Sequence, residues 1–458
     1  MTKFSVFFTK DLSNYGKSDK ITKAAKQRRD NGVSMKKLID FIHQSPTSYH
    51  VAENAASFLN EHGFCRLSET DDWILAEGGK YYVVREGAII AFTIGSLNDF
   101  SYKVVASHTD SPMLKLKENP LQKSALYATL NVETYGGGLW YSFFDRPLRI
   151  AGQVIRRENN RLRAETVTSP FTVVIPSLAI HQNREVKQGF VVNPQIDLQA
   201  FVSLADDIND SETLIETVAG ENVVAHNLFL VNADMPYSFG LNDEFLAAPR
   251  VDNLTSVYAS LEALAFDEPR VGICVAACMD NEEIGNGTAQ GAGGDFLEKV
   301  LRRIAYAFRF DDNEYYKALG NLFLLSLDNA HAVHPNHPEK ADSTNKTVLG
   351  GGVVIKSHAE KAYVTDALGS AVIKSIFDNA DVKHQTFCNR SDIKSGATLG
   401  TALLRQIGAT GVDIGIPQLA MHSACECFKK SDYEELSKGL LAFYAAHLIR
   451  EDDGFQLD

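Results

Sequence analysis

The sequence predicts an α/β fold interrupted by a β-rich insertion, and three observations predict it. Apolar strands follow amphipathic helices up to about residue 111. Between about Pro112 and Gly240 helical periodicity nearly disappears, and short strands and turns replace it. From about Asn242 onward, helices alternate with buried strands again. The simplest account of this order is one parallel α/β domain with a second, β-rich domain inserted into it.

The elements follow in order. Residues 1–34 form a basic arm with eight Lys and Arg (Lys3 to Arg29) against Asp11, Asp19 and Asp30, read as a solvated segment or a targeting one. Met35, Leu38, Ile39 and Ile42 share one helix face, with Ser34 placed as its N-cap. After Pro46, a second helix is predicted from Ser48 to His62, stopped by Gly63. Tyr81–Arg85 and Ala88–Ile94 read as a hairpin turning through Glu86-Gly87, and Tyr102–Ser107 as a further strand. In the middle region the strands are Ala125–Glu133, Leu148–Arg157, Leu162–Val167 and Phe171–Ile175, with Gly136–Gly138 after the first. Beyond it, Leu254, Val257, Tyr258, Leu261 and Leu264 mark a helix face, while Val271–Met279 and Leu322–Leu327 are buried strands. Ser431 with Glu434 predicts a capping box for the last helix. The expected domains are the arm 1–34, a discontinuous catalytic domain 35–111 with 242–458, and an insert 112–241.

Composition narrows the function. The 458 residues are 45% hydrophobic and 22% charged, and the formal net charge is −13. Nucleic acid and anionic membranes are bound through Lys and Arg, so neither is the expected partner. No apolar run is long enough to span a bilayer. None of the six cysteines forms a CxxC pair and no apolar secretory segment precedes them. Free thiols and a reducing, cytoplasmic setting are expected.

Ligands of open α/β sheets gather at the carboxyl ends of the strands. The residues just past each apolar strand are His108, Thr109 and Asp110; Asp280, Asn281, Glu282 and Glu283; Asp328 and then His331; and, after Val412–Ile416, His422. Asp252 stands directly before the Leu254–Leu264 helix. Each has an ordinary alternative, such as a helix cap for Asp252 or a solvated pair for Glu282-Glu283. Together they would crowd carboxylates at one edge, which repel unless a cation neutralises them. Two His and three carboxylates suit a pair of zinc ions with open positions. Asp110, two residues after His108, is placed to receive the second imidazole N–H. Of Glu282 and Glu283, one carboxylate can hold metal while the other acts as general base. Gly285, Gly287 and Gly291 have the wrong spacing for a phosphate loop. Pro335 and Pro338 break any helix that would align His331, His334 and His337, so His334 and His337 read as structural.

The segments SPTSYH (45–50), ASHTDSP (106–112), PSLAIHQNR (176–184), APRVDNLTS (248–256), DNEEIGNGTAQGA (280–292), LDNAHAVHPNHP (327–338), RSDIKSGATLG (390–400) and PQLAMHSACE (417–426) resemble the aspartyl aminopeptidase family of metallopeptidases. They fall in the family's order from about residue 35 to the end. The resemblance implies a phosphorylase/hydrolase-like domain with a mixed central sheet, interrupted by a β-rich dimerisation domain. It implies two Zn²⁺ per subunit; the same ligand types could also hold Co²⁺ or Mn²⁺. Asp252 would bridge the ions, His108 and Asp328 would complete one site, and Glu283 and His422 the other. Glu282 would be the general base, Asp110 would serve catalysis by holding the His108 imidazole, and the peptide bond after Asp252 would be cis. His331 and Lys356 would line the substrate pocket, His181 would reach a neighbouring subunit's active site, and His181 or His331 would take part in catalysis by stabilising the oxyanion. The implied activity is removal of an N-terminal Asp or Glu from peptides with a free N-terminus, in a homododecamer built from dimers. A deacylase acting on N-acyl amino acids and a non-catalytic shell protein remain as alternatives at this stage.

Overall fold

The computed structural model describes residues 33–267 and 271–457, with side chains from residue 35. The basic arm up to residue 32 and the capping side chain of Ser34 therefore lie outside the described residues. The chain divides into two compact units, Met1–Asp40 and Phe41–Asp458. In the first, the described residues belong to the helix Val33–Gln44.

The second unit is built on a nine-stranded sheet. Its order is Cys65–Arg66, Lys80–Arg85, Ala88–Ile94, Ile273–Met279, Tyr102–His108, Phe323–Leu327, Thr410–Gly415, Val353–Lys356 and His384–Phe387. The four strands from Ile273–Met279 to Thr410–Gly415 are mutually parallel. Ala88–Ile94 and Val353–Lys356 join them antiparallel on either side. The sheet is therefore mixed, as the family resemblance implies, where alternation of helix and strand alone predicted it parallel. The two-residue turn Glu86-Gly87, with Glu86 left-handed at φ 52°, can join only antiparallel neighbours.

Tyr102–His108, Ile273–Met279 and Phe323–Leu327 are buried at every position, as strands covered on both faces must be. Phe296 and Leu301 of the helix Phe296–Ala307, and Leu399 and Leu403 of Leu399–Ile407, pack with Val104, Val275 and Leu324 in one core. The helix Val251–Phe266 packs on Tyr102–His108 and against the C-terminal helix Lys430–Ala445. That last helix starts directly from the strand Glu426–Lys429, with Lys429 at its N-cap and no side-chain cap, so the predicted Ser431–Glu434 box is absent.

A six-stranded antiparallel sheet spans residues 113–232, in the order Arg161–Thr168, Leu148–Glu158, Val223–Asn232, Met113–Lys123, Tyr127–Tyr135 and Ala200–Leu204. It has its own core, where Leu116, Leu130, Ile150 and Leu228 meet Leu214 and Ile215 of the helix Ser211–Ala219. The predicted strand Phe171–Ile175 forms only isolated bridges. Pro170 and Pro176 bound it and cannot donate to a ladder. A five-stranded sheet of Tyr237–Phe239, Phe245–Ala248, Glu426–Lys429, Pro417–Leu419 and Ala330–His331, and a two-stranded one of Leu448–Arg450 with Phe455–Leu457, complete the unit. Among the described residues no helix is long and apolar enough to cross a membrane.

Candidate metal centre

The parallel register brings Met279 beside His108 and Leu327 beside Ile414, so the four central strands end at one edge. The loops leaving that edge hold Asp110, Asp280–Glu283 and Asp328. Asp252 arrives from the start of Val251–Phe266, where residues 252 and 253 leave helical geometry and the Asp252–Asn253 peptide bond is cis. His422 arrives from the loop between Pro417–Leu419 and Glu426–Lys429, at a left-handed φ of 66°.

Three groups of potential ligand atoms result, each with its atoms within 4.8 Å of one another: His108, Asp252 and Asp328; Asp252, Glu283 and His422; and His108, Glu282 and Glu283. Asp252 belongs to the first two. Its Oδ1 stands 3.3 Å from His108 Nε2 and its Oδ2 stands 3.5 Å from His422 Nε2. His422 Nε2 is also 3.4 Å from Glu283 Oε1, and His108 Nε2 is 3.9 Å from Asp328 Oδ1. In both rings Nδ1 donates to a backbone carbonyl, of Asp110 at 3.0 Å and of Gly137 at 2.9 Å, which leaves Nε2 directed at the carboxylates.

The Asp110 carboxylate stands beside His108, as its spacing suggested, and does a second job as well. It lies 3.4 Å from His108 Nδ1, farther than its own carbonyl oxygen. Its Oδ1 accepts the N–H of Glu282 and its Oδ2 that of Glu283, each at 3.1 Å. Asp110 thus fixes the turn that carries both glutamates.

The electrostatics call for a cation. Burial pushes Glu282 up to about 8, with Asp328, Asp110 and Asp252 adding to it against the pull of His108. Burial also drives Glu283 well above the carboxylate range, opposed by His422. Burial opposes ionisation of Asp252 too, but the two imidazoles on its oxygens outweigh it and hold it well below that range. The same pairing raises His422 to about 10 against its burial. Among the described residues, Asp252 Oδ1 and Glu283 Oε1 are buried without a hydrogen-bond partner. Unpaired buried carboxylate oxygens, with neutral-capable imidazoles aimed at them, fit one or two divalent ions of the zinc type.

The remaining predicted residues divide. Lys356 ends a buried strand and is 2% exposed, not solvent-facing. Its Nζ donates to the Asn329 carbonyl at 3.1 Å, stands 3.5 Å from Asp328 Oδ2 and lies 5.1 Å from the Tyr363 ring centroid. His331 lines a cavity of about 280 Å³ with Lys340, Asp342, Cys388 and Arg390. His181 is exposed, and among the described residues no hydrogen bond or ion pair joins it to the cluster. His334 and His337 face each other in an exposed turn away from the ligand groups.

Sequence reading missed Glu426. Its buried carboxylate accepts the N–H of Asp252 at 2.9 Å and that of His422 at 2.6 Å. One side chain thereby ties together the two segments that meet at the cluster. The glutamate lies in the PQLAMHSACE segment, whose alternation after His422 was the available signal.

The sequence profile described as Aminopeptidase I zinc metalloprotease (M18) matches residues 41–444. The chain belongs to the M18 family. It is 40% identical over 424 residues to the "Probable M18 family aminopeptidase 2" of Clostridium acetobutylicum, covering 89% of this chain and 98% of that one. The fold agrees with those of solved M18-type structures. Ape4 from its complex with Nbr1 superposes with a TM-score of 0.85 at 31% identity, over 94% of this chain and 87% of that one. The S. cerevisiae mApe1 dodecamer gives 0.77 at 28%, over 89% and 95%. Aspartyl aminopeptidases are M18 members, so motif resemblance and family match agree. This M18 protein is a metal-dependent aminopeptidase, a hydrolase acting on peptides, of a zinc-using family.

Proposed function

We propose that the protein is a dinuclear zinc aminopeptidase that releases an N-terminal acidic residue from peptides, with Glu282 as general base. The observation that carries this reading is Asp252, whose two carboxylate oxygens face His108 on one side and His422 on the other. His108, Asp252 and Asp328 would hold one ion and Asp252, Glu283 and His422 the other. Zinc, when bound, supplies Lewis acidity for the scissile carbonyl and acidifies water. Glu282 would take the proton of the attacking water and return it to the leaving amine. His331 would line the pocket of the terminal residue.

The oligomer is part of the same proposal. The related mApe1 structure is a dodecamer, and we extend that assembly to this chain, with the insert 112–241 as its dimerisation domain. His181, on the insert's exposed loop, would serve a neighbouring subunit's site. All six cysteines are free of disulfides, which supports a cytoplasmic location.

Peptides terminated by Asp, Glu or Leu test the activity directly. Single-residue release is expected to stop with a chelator and return with added zinc. Release of acyl groups from N-acyl amino acids instead would transfer the site to the deacylase reading.

Acidic preference rests on Lys356, and its surroundings also favour a second role. The ammonium already stands between Asp328 and Asp413, which raise its pKa against the effect of burial. As a pocket cation it would pair with the substrate side chain; as an internal counter-charge it would steady Asp328 alone. Lys356→Ala is expected to lower the Asp-to-Leu ratio of kcat/KM by at least about tenfold, a single charge-assisted contact being worth 1.5–3 kcal/mol. An equal loss on both substrates would leave only the counter-charge role.

A further inference from the structure

The strand Tyr127–Tyr135 belongs to the six-stranded sheet, yet its end lies against the loops of the metal centre. The Tyr135 hydroxyl donates to Asp110 Oδ2 at 2.8 Å and accepts from Asn281 Nδ2 at 2.8 Å. Asn281 is left-handed at φ 61°. Its amide oxygen accepts from Thr288 Oγ1 at 2.8 Å and from Gln290 Nε2 at 3.0 Å. These donors fix the amide's orientation, so its NH₂ must face Tyr135 and the single phenolic proton must go to Asp110. Asp110 in turn receives the backbone N–H groups of Glu282 and Glu283.

The residues that follow continue the contact. At Gly136, φ is +74° and a Cβ would stand 3.1 Å from Glu283 Cβ, an approach suited to glycine. Gly137 offers its carbonyl to His422 Nδ1, and the Leu139 N–H donates to the His422 carbonyl at 2.8 Å. One short segment leaving the second sheet therefore touches the glutamate turn on one side and His422 on the other.

We propose that Tyr135 is a positioning residue: its hydroxyl locks Asp110 against Asn281 and so sets where Glu282 and Glu283 stand. The proposal rests on the reading of Glu282 as base and Glu283 as metal ligand. Without the hydroxyl, Asn281 Nδ2 loses its acceptor and the Asp110 carboxylate can swing, carrying the two N–H groups it holds. The consequence falls on kcat and on retention of the ion between Asp252, Glu283 and His422, not on substrate capture.

Tyr135→Phe is a mild test, because the ring keeps its edge contact with Phe229 at 5.7 Å between centroids. The variant is expected to lose about 10–100-fold in kcat with KM little changed, and to release zinc at about tenfold lower chelator concentration. Asn281→Ala is expected to do the same, and the double variant to be no worse than either single one, since both break one chain of bonds. A merely structural tyrosine would lower thermal stability while leaving kcat and zinc retention alone. Wild-type kcat and zinc retention in Tyr135→Phe, or full additivity with Asn281→Ala, overturns the proposal. Glu282→Gln assayed alongside separates the two readings. If it stays active, the base assignment fails; if it is inactive while Tyr135→Phe matches wild type, only the positioning role fails.

Discussion

Glu282→Gln is expected to lower kcat by about 10²–10⁴-fold with zinc content unchanged, the range associated with losing a general base. The substitution is nearly isosteric, and the Glu282 N–H that anchors the turn to Asp110 is untouched. Neither of the two groups centred on Asp252 includes Glu282; it joins only the third, with His108 and Glu283. Its carboxylate is thus close to the ions' expected position without being needed to hold them. Steady-state rates together with metal analysis decide the point. Near-wild-type turnover would remove Glu282 from the reaction, and loss of zinc would make it a ligand.

The second large effect is expected at Asp252. Asp252→Asn keeps the side chain's size and the backbone bond to Glu426, but removes the charge shared by both ligand groups. Loss of an outer hydrogen-bond partner weakens metal binding by about 10–100-fold. Loss of a shared ligand is expected to exceed that at both positions, so zinc content falls below one ion per subunit and activity disappears. His422→Ala provides the contrast, because it leaves His108, Asp252 and Asp328 intact and is expected to retain one ion. Equal stoichiometry in the two variants would refute the bridging role.

The parts of the centre legible in the sequence stand at the ends of apolar runs. His108 and Asp328 directly terminate or follow a strand whose composition marks it as buried, Glu282 and Glu283 stand just past another, and parallel neighbours must share an edge. Strand direction was less legible. Val353–Lys356 is apolar like its neighbours, but nothing in four residues records that it runs against Thr410–Gly415. Lys356 illustrates the same limit: the family resemblance placed it in the substrate pocket, but its burial beside Asp328 and Asp413, which arrive from other strands, leaves no local trace in the sequence. Glu426 and Tyr135 were missed for a related reason. Their partners lie 174 and 146 residues away in Asp252 and Asn281, and a hydrogen bond between distant segments leaves no local period to read. The failed capping box at Ser431 shows the converse, since a local motif has no effect where the chain enters its helix straight from a strand.

Glu426 also places the birth of the enzyme late in its synthesis. The carboxylate that ties the backbones of Asp252 and His422 together is made after both of them, on a strand that completes the five-stranded sheet. Domains form progressively from the N-terminal side as the ribosome proceeds. A nascent chain that has reached Asp328 can gather His108, Asp252, Glu283 and Asp328, yet it still lacks His422 and the anchor that seats it. On the proposed ligand set, a nascent chain that has not yet reached Glu426 is expected to lack cleaving ability, and one abandoned before that point to be left without a complete centre.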